Sequence, residues 1–255
     1  MTEAAIKTAR VASVFELTIR RPARRNALDR GTLGEIRSRI AGLGSDVRAV
    51  ILTGDGGVFG AGADLTEIQG GEEDLHFDEL LAEVVAAIAG APQLIIAAVE
   101  GACIGASLEL ALACDACIAS ESAFFALPAV RLGLLYNPST VARMHASLPR
   151  QALTRLLLLG ERLDAPTAAA LGLLTRLTAS GCAMAEAREL AASVLGDPSA
   201  FAASKELLGA LDGGLAELER FEPLRRELVA SPARRAALAH ARSRVGRQPD
   251  LRGDV

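Results

Sequence analysis

Apolar residues fall into short continuous runs in the first half of this chain and into helical spacings in the second. Residues 11–20 have strand character, and Arg21-Pro-Ala-Arg-Arg-Asn-Ala-Leu28 then turns into a helix running to about residue 43. The runs 47–53 and 94–99 predict two buried strands. Between them, 72–89 opens with acidic residues, which suit the positive end of a helix, and puts Leu80, Leu81, Val84, Val85 and Ile88 on one face. A helix over 105–113, strands over 116–120 and 123–127 and a loop over 131–138 follow. Beyond residue 139 the spacing predicts helices almost throughout, at about 139–148, 151–159, 165–171, 181–195, 199–211, 216–228 and 232–244. Strands early and helices late argue for an α/β core over residues 1–195. A helical C-terminal region over 196–255 then packs on that core or on a neighbouring subunit.

Composition narrows the picture. Hydrophobic residues make up 51% of the 255, mostly Ala, Leu and Val, with no Trp and one Tyr, so closely packed helices are expected. A net charge of −4 gives no reason to expect nucleic-acid binding, although Arg242, Arg244 and Arg247 cluster locally. No apolar run approaches the roughly 20 residues that cross a bilayer, and no basic-then-apolar leader precedes the first strand, so a soluble cytoplasmic chain is expected. Cys103, Cys114, Cys117 and Cys182 lack the spacing of a disulfide framework and read as reduced thiols. His76, His145 and His240 are scattered, and no metal site is expected.

Two stretches carry the chemistry. Gly54-Asp-Gly-Gly-Val-Phe-Gly-Ala-Gly-Ala-Asp-Leu65 and Ala97-Ala-Val-Glu-Gly-Ala-Cys-Ile-Gly-Ala-Ser-Leu-Glu-Leu-Ala-Leu-Ala-Cys-Asp115 each end an apolar strand in a glycine-rich turn that is expected to open a helix. Such turns leave backbone N–H groups unpaired and convergent, a geometry that holds a carbonyl oxygen as it becomes negative. Ala63 and Ala106 matter through those N–H groups, so their side chains need only be small. Glu109 stands alone in an otherwise apolar helix. A carboxylate there is expensive to bury, and desolvation raises its pKa toward the range useful for proton transfer. Ser107 has no evident His and Asp partners, which argues against a serine hydrolase.

These residues resemble the enoyl-CoA hydratase/isomerase, or crotonase, superfamily. The resemblance rests on Arg21-Pro with Asn26-Ala-Leu28, on Phe59-Gly-Ala-Gly-Ala-Asp-Leu65, on Ala97-Ala-Val-Glu-Gly101, on Gly105 with Glu109-Leu110, and on Cys114-Asp115. Lys205 and Arg247-Gln-Pro249 fit the family's second half. It implies a spiral of ββα turns with a helical C-terminal region, a homotrimer or a dimer of trimers, and an acyl-CoA thioester as substrate with no separate cofactor. It also implies that the Ala63 and Ala106 amides form the oxyanion pair, that Glu109 is the first of two hydratase glutamates, and that CoA is contacted at Arg24, Arg25, Ala61, Ala63, Asp64 and Leu65. Asp64 could equally cap a helix after Ala63.

Ala129 stands where the second glutamate is expected. Hydration usually divides its work between two carboxylates, so Glu109 must serve both steps, or Glu72, Asp78 or Glu100 must take one, whereas isomerisation needs a single shuttling carboxylate. Tyr136, in Leu132-Gly-Leu-Leu-Tyr-Asn-Pro138, matches a pattern of malonyl-type CoA decarboxylases in the same superfamily, which makes decarboxylation an alternative. A protein that binds acyl-CoA without turning it over is another.

Overall fold

The computed structural model describes residues 4–69, 72–133, 135–193 and 196–211, with a few positions between 221 and 236. Arg242, Arg244, Arg247 and the Arg247-Gln-Pro249 motif lie outside the described residues, as does His240; the helices expected at 216–228 and 232–244 fall largely outside them. The chain divides into two compact units, Met1–Val194 and Leu195–Val255.

The first unit opens with a hairpin, β1 (Ile6–Val11) antiparallel to β2 (Val14–Ile19), where the sequence suggests one strand over 11–20. The turn between them has Ala12 at φ +53°, and alanine there gives no turn signal. From β2 the sheet continues in parallel through β3 (Ala49–Gly54), β4 (Leu94–Val99), β6 (Ala116–Ser120) and β9 (Arg176–Thr178). A second, smaller sheet pairs β5 (Ala102–Ile104) in parallel with β7 (Phe124–Ala126), and β7 antiparallel with β8 (Leu163–Asp164). Successive passes of the chain thus lay one strand in each sheet, β4 then β5 and β6 then β7, which is the spiral of the crotonase fold.

All six residues of β4 are buried, so both faces of that strand are covered, as its unbroken apolar run requires. The helices α1 (Arg30–Ala41), α2 (Leu75–Gly90) and α3 (Ala106–Ala113) pack in succession, while α7 (Ala183–Ser193) packs against β3 and β4. Asp29 caps α1 by accepting the Thr32 N–H at 2.7 Å. Asn137 does the same for α4 (Pro138–Ser147) through Ser139 N–H at 2.9 Å.

The part beyond residue 139 is less purely helical than its sequence suggests. β8 and β9 lie within it, and the expected helix 151–159 is a short α5 (Arg150–Leu153) running into a π-helical turn, Thr154–Leu158. Strands of two or three residues carry no periodicity of their own; β9 exists because Ile118–Ser120 offers it a parallel edge. α6 (Ala165–Ala170) completes the first unit, and α8 (Pro198–Ala210) is the described helix of the second. Among the described residues no helix is long and apolar enough to cross a membrane.

Candidate active site

The first glycine turn opens no helix, contrary to the sequence expectation. Asp64 Oδ1 accepts from Thr66 N–H at 3.2 Å and from the Thr66 hydroxyl at 2.7 Å, closing an Asx turn, and the next α-helix begins only at Leu75. Asp64 is therefore a turn-former rather than a helix cap. Its other oxygen is 2.9 Å from the Arg21 guanidinium, which also reaches Asp29 at 2.7 Å. The Thr66 hydroxyl and Arg21 hold the Asp64 carboxyl below its ordinary range.

The Arg21-to-Leu28 motif positions this turn from below. Buried Asn26 donates through Nδ2 to the Asp55 and Val58 carbonyls at 2.9 and 2.6 Å, clamping the glycine-rich loop. Leu28 N–H then donates to Gly62 O at 2.7 Å, and Leu28 O accepts from Asp64 N–H at 2.8 Å. In a trans peptide the C=O and N–H point in opposite directions. With the Gly62 carbonyl fixed on Leu28, the Ala63 N–H of the same peptide points away from Leu28.

The second turn supplies the other donor. Gly105 is the N-cap of α3 at φ +54°, a conformation that glycine adopts without strain, and Ala106 is the first residue of the helix. Its N–H has no intrahelical acceptor and lies at the positive end of the helix dipole. The two turns meet: a Cβ on Gly62 would lie 3.7 Å from Ala106 N, and a Cβ on Gly105 would lie 3.8 Å from the Gly62 Cα. Neither the Ala63 nor the Ala106 N–H has a hydrogen-bond partner among the described residues.

Glu109 follows one turn later on α3 and is only 6% exposed. Burial pushes its carboxyl up to about 7, and the charge of Asp78 adds to the rise, while a hydrogen bond from the Thr140 hydroxyl and the charge of Arg143 oppose it. Thr140 Oγ1 donates to Glu109 Oε2 at 3.0 Å. Beside the pair is a cavity of about 20 Å³ lined by Leu112, Thr140, Arg143 and Met144 among others, room for one water. Tyr136 brings its hydroxyl to 3.7 Å from the point a Gly105 Cβ would occupy. Burial, with the charges of Glu109 and Asp78, raises the phenol above its ordinary value, so it stays a neutral donor.

The remaining expected residues lie around this centre. Arg24 and Arg25 are exposed, and Arg25 O accepts from Ala61 N–H at 3.1 Å, which puts that turn beside the 61–65 segment. Leu65 is exposed as well. Ala129 lies in a short 3-10 turn, Ala129–Leu132. Of the carboxylates considered in place of a second glutamate, Glu72 is exposed. Glu100 is committed elsewhere, accepting from Ser122, Gly181 N–H and Ala183 N–H and so capping α7. Asp78, half-buried on α2 where that helix packs on α3, is the one whose charge reaches Glu109 and Tyr136. Sequence reasoning missed Thr140, which reaches Glu109 across the fold with no local pattern to mark it, and it quoted Leu28 as part of a motif without the backbone role it has here. No group of three or more His, Cys, Asp or Glu among the described residues is placed to hold a metal ion.

Comparison with known proteins points to one family. A family model described as enoyl-CoA hydratase/isomerase matches residues 9–221. The chain is 32% identical over 214 residues to the 2,3-dehydroadipyl-CoA hydratase of Escherichia coli K12, covering 80% of this chain and 83% of that protein. Among solved structures, an enoyl-CoA hydratase from Polaromonas sp. JS666 superposes with a TM-score of 0.86 at 30% identity, covering 94% of this chain and 98% of the other. A Thermobifida fusca YX chain solved in complex with CoA does so with a TM-score of 0.77 at 30% identity, covering 94% and 95%.

Proposed function

The chain belongs to the enoyl-CoA hydratase/isomerase family, and from that premise we propose that it works on a 2-enoyl-CoA thioester through an enolate held by the Ala63 and Ala106 N–H groups. Glu109 is the acid/base. The observation that carries the reading is a buried carboxyl one helical turn from the Ala106 N–H, where the two glycine turns meet; burial pushes that carboxyl up to about 7. Near neutral pH such a group is present in both protonation states, as a residue that takes a proton at one step and returns it at another must be.

In the proposed sequence the two amides draw charge onto the thioester oxygen, which makes C3 electrophilic and, once water has added there, holds the enolate whose C2 is basic. Water adds its oxygen to C3 as Glu109 takes its proton, and Glu109 then delivers that proton to C2, so the elements of one water are added. The same single carboxyl moves a proton between C2 and C4 when the double bond shifts instead. Neither route needs a group at position 129 or a separate cofactor. Asp78 contributes as a fixed neighbouring charge that keeps Glu109 from ionising too early, and Tyr136 as a neutral donor at the edge of the site. The hydratase names of the relatives favour this reading over decarboxylation or passive binding.

Arg24 and Arg25 are proposed to take CoA phosphates through their planar donor forks, with Ala61 and Leu65 along the thioester arm. Assembly as a trimer or a dimer of trimers is proposed too. It is supported by exposed Val130, Leu132, Leu158 and Leu159, on two turns that touch each other, an apolar surface that a neighbouring chain would cover. Light scattering after gel filtration is expected to give three or six chain masses, and a monomer would overturn this part. The function itself is tested by mass spectrometry and chromatography of enoyl-CoA esters of several chain lengths and of malonyl-type CoA esters incubated with the protein. Gain of one water, or a shifted double bond at constant mass, is the expected result. Inertness across the panel, or loss of carbon dioxide from malonyl-type esters, would overturn it.

A further inference from the structure

Ser107 lies inside the site but has no part in the proton chemistry. It is fully buried at the second position of α3, next to Ala106, and its Oγ accepts the Gly62 N–H at 3.2 Å. A serine there ordinarily serves its own helix end, whereas this one reaches across to the other glycine turn. Its oxygen is thus committed to an amide rather than poised as a nucleophile.

The consequence lies in Gly62. This residue has φ +95° and no side chain to limit it, so its two dihedrals are set by whatever holds the peptide planes on either side. The plane after it, which carries the Ala63 N–H, is held by Leu28 through the Gly62 carbonyl at 2.7 Å. The plane before it is held through the Gly62 N–H by Ser107. With both planes fixed, the swivel between them is closed. Because Ser107 adjoins Ala106 on the same helical turn, the same bond gauges the separation of the two donors.

Gly60 completes the arrangement. A Cβ at that position would collide with the Ser107 side chain, so residue 60 lacks a side chain because the hydroxyl occupies its space. The two positions are coupled although they lie 47 positions apart in the chain.

We propose that Ser107 is a positioning residue that presets the Ala63 amide of the oxyanion pair, and that Gly60 is the vacancy that admits it. The proposal rests on the acyl-CoA reading above. It predicts a defect in carbonyl polarisation, separate from the acid/base step of Glu109.

The test compares wild type, Ser107→Ala and the double variant Gly60→Ala/Ser107→Gly, which loses the hydroxyl while refilling its space. An aryl-conjugated enoyl-CoA is the probe, because polarisation of its carbonyl shifts the absorption of the bound chromophore to the red. Loss of a whole oxyanion donor costs about 10²–10³-fold in kcat, so a donor left present but less well aimed is expected to cost about tenfold. Both variants are expected to show that fall with KM little changed, a smaller red shift, and an acid limb of the pH profile that stays where Glu109 sets it. The Gly62 amide is expected to exchange faster with deuterium in both. A full red shift in folded Ser107→Ala overturns the proposal, as does a kcat that falls only together with the melting temperature. Failure of the acyl-CoA reading looks different: wild type itself would then give no red shift with any thioester, and the proposal would fall with it.

Discussion

At the scale of the residue, Glu109 is the group whose surroundings decide most. Thr140 holds one of its carboxylate oxygens, and among the described residues the other is unengaged. Replacing it by Gln keeps size and polarity but removes the proton store, so Glu109→Gln is expected to lower turnover by about 10²–10⁴-fold while thioester binding persists, measured as kcat against the affinity for a product-like CoA ester. The limb of the rate profile that needs Glu109 as a base should rise with pH through about 7. Thr140→Val removes a hydrogen bond that stabilises the charged form, so this limb should move to higher pH. Asp78→Asn removes a like charge and should move it to lower pH. Steady-state rates from pH 5 to 9 check both signs, and equal or reversed shifts would contradict the electrostatic account. Glu109 was legible in the sequence because a lone carboxylate in an apolar helix has few structural uses. Thr140 and Asp78 were not legible as its neighbours, because they arrive from α4 and α2 and only packing brings them near α3.

At the scale of the element, the two glycine turns were legible as turns, and the apolar runs at 47–53 and 94–99 as strands, because glycine clusters and buried parallel strands mark themselves locally. The continuations were not. β5 lies inside the second glycine turn, and after the first turn the expected helix is replaced by an Asx turn tied to Arg21. What the turns demand of their glycines can be measured. A Cβ on Gly54 would overlap the backbone of Val58 and Phe59, and one on Gly101, at φ +57°, would overlap the Gly57 carbonyl. Gly101→Ala is expected to destabilise the fold by at least about 1–3 kcal/mol, the cost of the backbone conformation alone, whereas Gly34→Ala, where a Cβ meets nothing within 4 Å, should be neutral or stabilising. Urea midpoints at constant m-value separate the two outcomes.

At the scale of the whole molecule, the site is held at some expense of stability, and that has a sign in pH. The Glu109 carboxyl is raised from an ordinary 4.5 to about 7, so between those values the folded chain keeps a proton that the unfolded chain has lost. The stabilisation tied to that proton is complete below about pH 4.5 and disappears as pH rises through about 7. Glu109→Gln has no such loss, and its stability relative to wild type in urea unfolding should rise by about 2–3 kcal/mol between pH 5 and pH 8. A constant difference across that window would mean that Glu109 is not buried as described. The amides on Ala63 and Ala106 bear differently on how this protein withstands mutation. A single-base change in an alanine codon yields Thr, Ser, Pro, Asp, Glu, Gly or Val, and of these only proline lacks the N–H. Drift can therefore reshape the walls around the thioester, changing which acyl group fits, while the two donors themselves remain in every variant but one.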